Sequence, residues 1–323
     1  MTLDTKKAFA VLSSLEENIK QVIVGKDQQI RLAIACMLAQ GHLLLEDVPG
    51  VGKTMLAKAL AKSIHGEFKR IQFTPDLLPA DITGLSVFNP KELIFEFRKG
   101  PVFANILLCD EINRATPRTQ SSLLECMEEK QVTIDGITYT LPKPFFVMAT
   151  QNPIEQQGTF PLPEAQLDRF LMCLSLGYPG PVEELKILDS QKETLHPIHK
   201  IKAVASLEDI RLLQEMVGKV FIHPDLRKYL VHLVRLTRNH PQIFLGGSPR
   251  SSLALMKASQ AYALCLGKTF VTPQIIKDLA LPVLGHRLIL DPQTKIGGIL
   301  ISKIVEDLLR SIPMPKIAPE KGT

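Results

Sequence analysis

The segment Leu43-Leu44-Leu45-Glu46-Asp47-Val48-Pro49-Gly50-Val51-Gly52-Lys53-Thr54 constrains what this chain can fold into more than any other. Three successive leucines read as a buried strand, Pro-Gly-Val-Gly as a tight loop, and Lys-Thr as the entry to a helix. Strand, Gly-rich loop and helix in this order turn several backbone N–H groups and the positive end of a helix toward one anion. Lys53 adds a mobile cation, and Thr54 offers a hydroxyl to magnesium. The strict form of the pattern has glycine where this chain has Asp47, a residue that tolerates unusual backbone angles. A Gly-Lys-Thr after a turn also arises by chance, so the rest of the chain must decide.

Downstream, the apolar run from Asn105 to Cys109 ends in Asp110-Glu111, delivering two carboxylates to the carboxyl end of a strand, where ligands of open α/β sheets sit. Asp110 would hold the magnesium, directly or through water. Glu111 would orient and deprotonate a water attacking a γ-phosphate. An acidic pair also caps helices, and it is the order of loop then pair that favours the nucleotide site. Asn152 follows the strand Phe145 to Thr150 and could touch both the attacking water and the γ-phosphate, with Gln151 as the neighbouring competitor. Arg169, in Leu167-Asp168-Arg169-Phe170, reads either as one half of a surface Arg-Asp pair or as an arginine finger crossing a subunit boundary. Arg250 follows Ser248 and Pro249, an N-cap and a first helical residue, so a cation stands in the positive first turn of a helix. That position is unfavourable without a nearby anion and hints at phosphate contact from a second domain.

Around these residues the chain alternates strand and helix. Residues 1 to about 40 read as helical, with Phe9, Leu12, Leu15 and Ile19 on one face, then Val24-Gly25, then an apolar helix through Ile30, Ile34 and Met37. Met55 to Ile64 reads as a helix, Arg70 to Phe73 as a short strand and Pro117 to Glu128 as a further helix. Four apolar runs separated by helices predict a parallel sheet with helices on both faces. Two segments interrupt the alternation. Gln131 to Thr140 alternates apolar and polar residues around Asp135-Gly136, a hairpin signal, and Val87-Phe88 with Leu93 to Phe97 flank Asn89-Pro90 as a weaker one. Tyr178-Pro179-Gly180-Pro181 breaks the chain and sets the expected boundary between a first domain, 1–178, and a second, 179–323. Ser206 to Met216, Pro224 to Arg238, Pro249 to Leu266 and Pro273 to Leu281 read as helices, with Ser206 and Thr272 as N-caps, so the second domain is expected to be all-α. A polar, Pro-rich stretch from Ile312 to Thr323 is expected to be a frayed tail.

A chain of 323 residues suits two domains, and 45% hydrophobic content is enough to bury both. Lys and Arg number 38 against 33 Asp and Glu, and the resulting +5 is spread along the chain, so nucleic-acid contact is permitted but not required. Five cysteines stand singly with no C-x-x-C pair, which argues against a disulfide framework and for a reducing cytoplasm. No apolar signal core or bilayer-length run is present, so secretion and membrane insertion are not expected. His196, His199, His232 and His240 are the clustered histidines, and nothing around them completes a metal shell.

The ordered series Val48 to Thr54, Asp110-Glu111-Ile112-Asn113-Arg114-Ala115, Thr150-Gln151-Asn152-Pro153 and Pro161 to Phe170 resembles the MoxR family of AAA+ ATPases. Gln120 to Glu129 is similar to that family's helix after Walker B, and the resemblance covers nearly the whole chain. It implies an α/β AAA+ P-loop NTPase fold, a parallel sheet flanked by helices, with a C-terminal all-α lid domain. It also implies ATP and Mg2+, with nucleotide contacts from Val24, Gly25, Pro49, Gly50, Val51, Gly52, Lys53, Thr54 and Met55 and metal contacts from Thr54 and Asp110. The catalytic set implied is Lys53, Glu111, Asn152 as sensor 1, Arg169 as arginine finger and Arg250 as sensor 2, with Arg114 and Arg118 as other candidates for the finger. The two hairpins resemble the insertions that line the central pore of such rings. A homo-hexamer with ATP between subunits, a von Willebrand factor A domain partner and a protein client follow, with chaperone-like remodelling, assembly or metal insertion as the work done. The alternative is a helicase-type motor stimulated by nucleic acid. Against it, the hairpin tips offer Lys91 and Asp135 rather than a basic, aromatic groove.

Overall fold

The leucine run does form a strand, and the elements around it can be placed in chain order. The computed structural model describes residues 4–152, 158–190 and 196–315; Pro153 and the expected tail beyond residue 315 lie outside them. Helices α1 (Thr5–Lys20) and α2 (Asp27–Leu38) precede β1 (Leu43–Glu46), the Gly-rich loop and α3 (Lys53–Ser63). Next come β2 (Phe68–Gln72), α4 (Pro79–Thr83), a hairpin of β3 (Gly84–Asn89) and β4 (Ile94–Lys99), then β5 (Ile106–Asp110) and α5 (Pro117–Glu129). A second hairpin, β6 (Gln131–Ile134) and β7 (Ile137–Thr140), leads to β8 (Phe146–Gln151), α6 (Glu164–Leu167) and β9 (Met172–Leu174). The C-terminal part holds α7 (Pro181–Ser190), α8 (Pro197–Lys200), α9 (Leu207–Val217), α10 (Pro224–Arg238), β10 (Ile243–Leu245), α11 (Pro249–Cys265), α12 (Pro273–Leu284), β11 (Ile289–Leu290), α13 (Pro292–Ile296) and α14 (Ile301–Ser311).

Five strands make one parallel sheet in the order β2-β5-β8-β1-β9. Successive strand residues point to opposite faces, and both faces are covered. Leu43, Leu45, Ile106, Leu108, Phe146 and Met148 pack with the apolar residues of α1, α2 and α3, whereas Leu44, Leu107, Cys109, Val147 and Ala149 pack with those of α5. The sequence pattern predicts four strands; β9 is the fifth. Its three residues are too few to carry a period, and it forms by pairing with the outer edge of β1. From β1 the chain crosses to the far edge at β2, while from β8 it goes to β9 on the other side. The connections therefore diverge between β1 and β8, opening a crevice at their carboxyl ends.

Both hairpins form. Asp135 (φ 50°) and Gly136 (φ 78°) are both left-handed, the geometry that matches the twist of two paired strands. At the other hairpin the strands run to Asn89 and resume at Ile94, so Pro90 to Leu93 make the tip. Phe97 stacks on Tyr139 with ring centroids 4.3 Å apart, which joins the two hairpins. Phe88, Leu93, Ile94 and Phe95 remain exposed.

The C-terminal part is helical, with one addition to the expected pattern: β10 and β11 form a short antiparallel ribbon. Ser206 caps α9 and exchanges bonds with Asp209 in a capping box, worth about 1 kcal/mol. Thr272 occupies the N-cap position of α12, but its side chain makes no capping bond. The apolar core that covers one face of the sheet continues through α2 into α9, α10, α11 and α12. All five cysteines are free, and burial raises every thiol, that of Cys126 and that of Cys265 to about 12. Among the described residues no helix is long and apolar enough to cross a membrane.

Candidate functional site

Gly50 (φ 85°) and Gly52 (φ 95°) both take left-handed backbone, which a side chain would strain; this curls Val48 to Gly52 over the start of α3. Lys53 is the first residue of α3 and Thr54 the second, with Met55 next. Lys53 Nζ donates to the carbonyls of Asp47 (2.8 Å) and Val48 (3.2 Å). Burial lowers the Lys53 pKa, against the opposing pull of Asp47, Asp110 and Glu111. Such an ammonium, held by two neutral carbonyls, readily exchanges them for a phosphate.

Asp47, the departure from the strict pattern, is buried and well used. Its carboxylate accepts from the Ser175 hydroxyl (2.9 Å), from the Gly177 N–H (3.2 Å) and from the Leu176 N–H. It thus fastens the segment that leads from β9 to the C-terminal helices onto the end of β1. Val24 and Gly25 lie before α2. Gly25 (φ 71°) meets α7 so closely that a Cβ there would stand 2.2 Å from Glu183 Cγ. Ile23 reaches the other way, its Cδ1 lying 3.8 Å from where a Cβ on Gly52 would be. The turn at Val24-Gly25 is therefore a wall shared by the loop and α7.

Register sets the carboxylates. Gln72 of β2 pairs with Asp110 of β5, and Cys109 pairs with Ala149 of β8, so residues from three strands end side by side. Asp110 accepts from Arg70 Nε (2.6 Å) and from the Thr150 hydroxyl (3.2 Å), and it is buried. Glu111 adopts φ 57° and ψ 51°, a left-handed conformation costing about 1 kcal/mol for a residue with a side chain. Its N–H bonds to Thr150 Oγ1 (2.9 Å), and its Oε2 accepts from Gln72 (2.8 Å) and Arg114 (3.1 Å). Gln151 bonds to Glu46 across the β1–β8 pair, and Asn152 follows one residue beyond the end of β8.

The two remaining arginines are elsewhere. Arg169 and Arg250 meet on Glu128: Arg169 Nε lies 3.3 Å from Oε2, and Arg250 Nη2 lies 2.8 Å from Oε1. Gly41 and His42, just before β1, border the same cleft. This is the amino end of the sheet, with the four residues of β1, about 13 Å of strand, between it and the loop that carries Lys53. The arrangement therefore does not bring Arg250 to the Lys53 loop of its own chain. Arg118 lies in the first turn of α5, and Arg114 is engaged with Glu111.

Sequence reasoning missed Arg70, Gln72 and Thr150, which reach the carboxylates through strand register, and Glu128. It also missed Arg287. That guanidinium is buried, its pKa pushed down to about 10 by burial against the pull of Asp168; it pairs with Asp168 (2.8 Å) and donates to the Phe170 carbonyl (2.6 Å). It so grips the chain on both sides of Arg169. A charged residue in an apolar stretch, Val283 to Leu290, was the available signal.

Two family models match the chain: the ATPase family associated with various cellular activities (AAA) over residues 42–172, and the AAA lid domain over 235–308. The chain is 52% identical to the uncharacterized protein YeaC of Bacillus subtilis, covering 94% of this chain and 95% of YeaC. It is 41% identical to chaperone MoxR1 of Mycobacterium tuberculosis, covering 94% of this chain and 83% of that one. A crystal structure of a protein from Cytophaga hutchinsonii assigned as an ATPase superposes with a TM-score of 0.91 at 38% identity, covering 97% of each chain.

Proposed function

The chain belongs to the MoxR family of AAA+ ATPases, and from that premise we propose that it is a ring-forming remodelling ATPase whose nucleotide lies between subunits. One subunit supplies the Gly50–Gly52 loop, Lys53, Glu111 and Asn152; its neighbour supplies Arg169 and Arg250. The observation that carries this reading is the pairing of Arg169 with Arg250 at the amino end of the sheet, away from Lys53. Arginines that cannot reach their own triphosphate are available to another chain's.

In the hydrolytic step Lys53 leaves the carbonyls of Asp47 and Val48 for the β- and γ-phosphates. Glu111 leaves Gln72 and Arg114 and takes a proton from the attacking water on a carboxylate oxygen. Asn152 orients that water. Magnesium fits the hard oxygen donors Thr54 and Asp110, and when bound it neutralises phosphate charge. Arg70 would then share or give up the Asp110 Oδ2 that it now holds. The linker fastened by Asp47 carries the change to the helical lid, taken as residues 179–323 against a core of 1–178.

The exposed apolar patch of Phe88, Leu93, Ile94 and Phe95 supports a protein client. A hexamer, a von Willebrand factor A domain partner and chaperone-like assembly or metal insertion accord with the family, and the unpaired thiols accord with a reducing cytoplasm. Glu111→Gln is expected to bind ATP with little change and to hydrolyse it at least about 100-fold more slowly. Near-normal turnover in that variant would remove Glu111 from its role. ATPase activity that rose strongly with added DNA, in a salt-sensitive way, would move the reading to a nucleic-acid motor.

A further inference from the structure

Glu128 stands in the last turn of α5 and gives one oxygen to each of two arginines. Arg169 comes from the loop before β9 and Arg250 from the first turn of α11, so one carboxylate ties the sheet part to the helical part. The cleft they share is about 320 Å³ and is also lined by Lys130, Lys257 and Arg287, with Asp168 as the second carboxylate. Five cations thus face two anions. The Lys130 pKa is lowered, first by burial and then by the nearby Lys257 and Lys143. Asp168 is taken by the buried Arg287. That leaves Glu128 as the anion that lets two guanidinium groups lie side by side.

Resting on the reading that Arg169 and Arg250 serve a neighbour's nucleotide, we propose that Glu128 is a positioning residue: it holds the two arginines as a pair and yields them to the neighbour's γ-phosphate when the ring closes. Two guanidinium groups sharing a cleft repel each other, and the carboxylate between them removes most of that cost. A terminal phosphate carries more negative charge and accepts more bonds than one carboxylate, so it takes over both arginines. Because the pair is set before the phosphate arrives, little reorganisation is left for the transition state. Both arginines are partly exposed, which leaves them within reach of another chain.

Mixed oligomers of full-length chains test this. Lys53→Ala removes nucleotide use but keeps the arginine face; Arg169→Ala does the reverse. Each alone is expected to be nearly inactive, and mixing them should restore ATPase activity at interfaces that combine the two intact halves. Placing Glu128→Gln on the Lys53→Ala chain should cut the restored kcat about tenfold, with the KM for ATP little changed, and Glu128→Asp on that chain should recover part of the loss. The same Glu128→Gln placed on the Arg169→Ala chain should change the restored rate less than about twofold. Equal loss from either chain would make Glu128 a merely structural residue, and no loss from the Lys53→Ala chain would remove its positioning role; either overturns the proposal. If Arg169→Ala were active by itself, or if mixing restored nothing, the reading of a shared site would fail first and the proposal with it.

Discussion

His42 holds a buried position between α5 and β8 by making two bonds of opposite sense. Its Nε2 donates to the Met127 carbonyl (3.1 Å), and its Nδ1 accepts from the Val147 N–H (3.0 Å), which fixes the neutral ring. Burial pushes its pKa down to about 4, and desolvation of the ring pushes that of the partly exposed residue His286 down to about 3. A depressed histidine favours folding while both states are neutral. As pH falls below about 6.5 the unfolded chain takes up protons that the folded chain refuses, so stability drops until the folded pKa is reached. Between pH 6.5 and 4, His42 alone should remove about 3 kcal/mol, read as a fall in the thermal midpoint, and His42→Gln should flatten that slope. A midpoint independent of pH across this range would contradict the burial of these rings. Asp47 has the opposite legibility: its identity is visible in the sequence, yet its purpose is not. The residues it binds, Ser175 to Gly177, lie 128 to 130 positions away and arrive only when β9 pairs with β1. Asp47→Ala leaves three donors short of an acceptor and should cost about 2 kcal/mol in chemical denaturation, with ATP affinity lowered as the linker loosens.

Among the elements, those with a repeating pattern or a turn signal were readable and those made by pairing were not. The Asp135-Gly136 hairpin follows from alternation and a dipeptide that suits left-handed backbone, and α5 and α10 follow from their apolar stripes. Strand β9 and the β10–β11 ribbon have two or three residues each, and nothing local distinguishes them from loop. The same division runs through the site. Lys53, Thr54, Asp110, Glu111 and Asn152 stand out because their chemistry is local, whereas Arg70, Gln72, Thr150 and Glu128 depend on which strand or helix lies alongside. At the base of the first hairpin, Gly84 (φ 97°) and Gly100 face each other so closely that a Cβ on Gly84 would lie 2.2 Å from the Arg98 carbonyl oxygen. Gly84→Ala should therefore destabilise by about 2 kcal/mol or more and unseat the hairpin, seen as faster amide exchange in β3 and β4. Unchanged protection would mean that the strand base can shift at no cost.

For the whole molecule, the distribution of the apolar core matters more than the chain break at Tyr178 to Pro181. Composition predicts two domains, yet the core of the helical part is continuous with that of α1 and α2. Helix α2 presents Ile34, Cys36 and Leu38 to this shared interior, and α11 contributes Leu255, Ala258 and Ala261. A chain ending at residue 178 would expose that surface, so it should bind hydrophobic dyes and aggregate, and the full chain should unfold in one calorimetric transition. Two well-separated transitions would show that the halves are independent. The raised thiol pKa values have a practical corollary. With the ionised form suppressed at all five native cysteines, a maleimide fluorophore should find only a cysteine introduced on purpose. Paired dyes on a hairpin tip and on α10 could then report distance changes during turnover in the otherwise wild-type sequence.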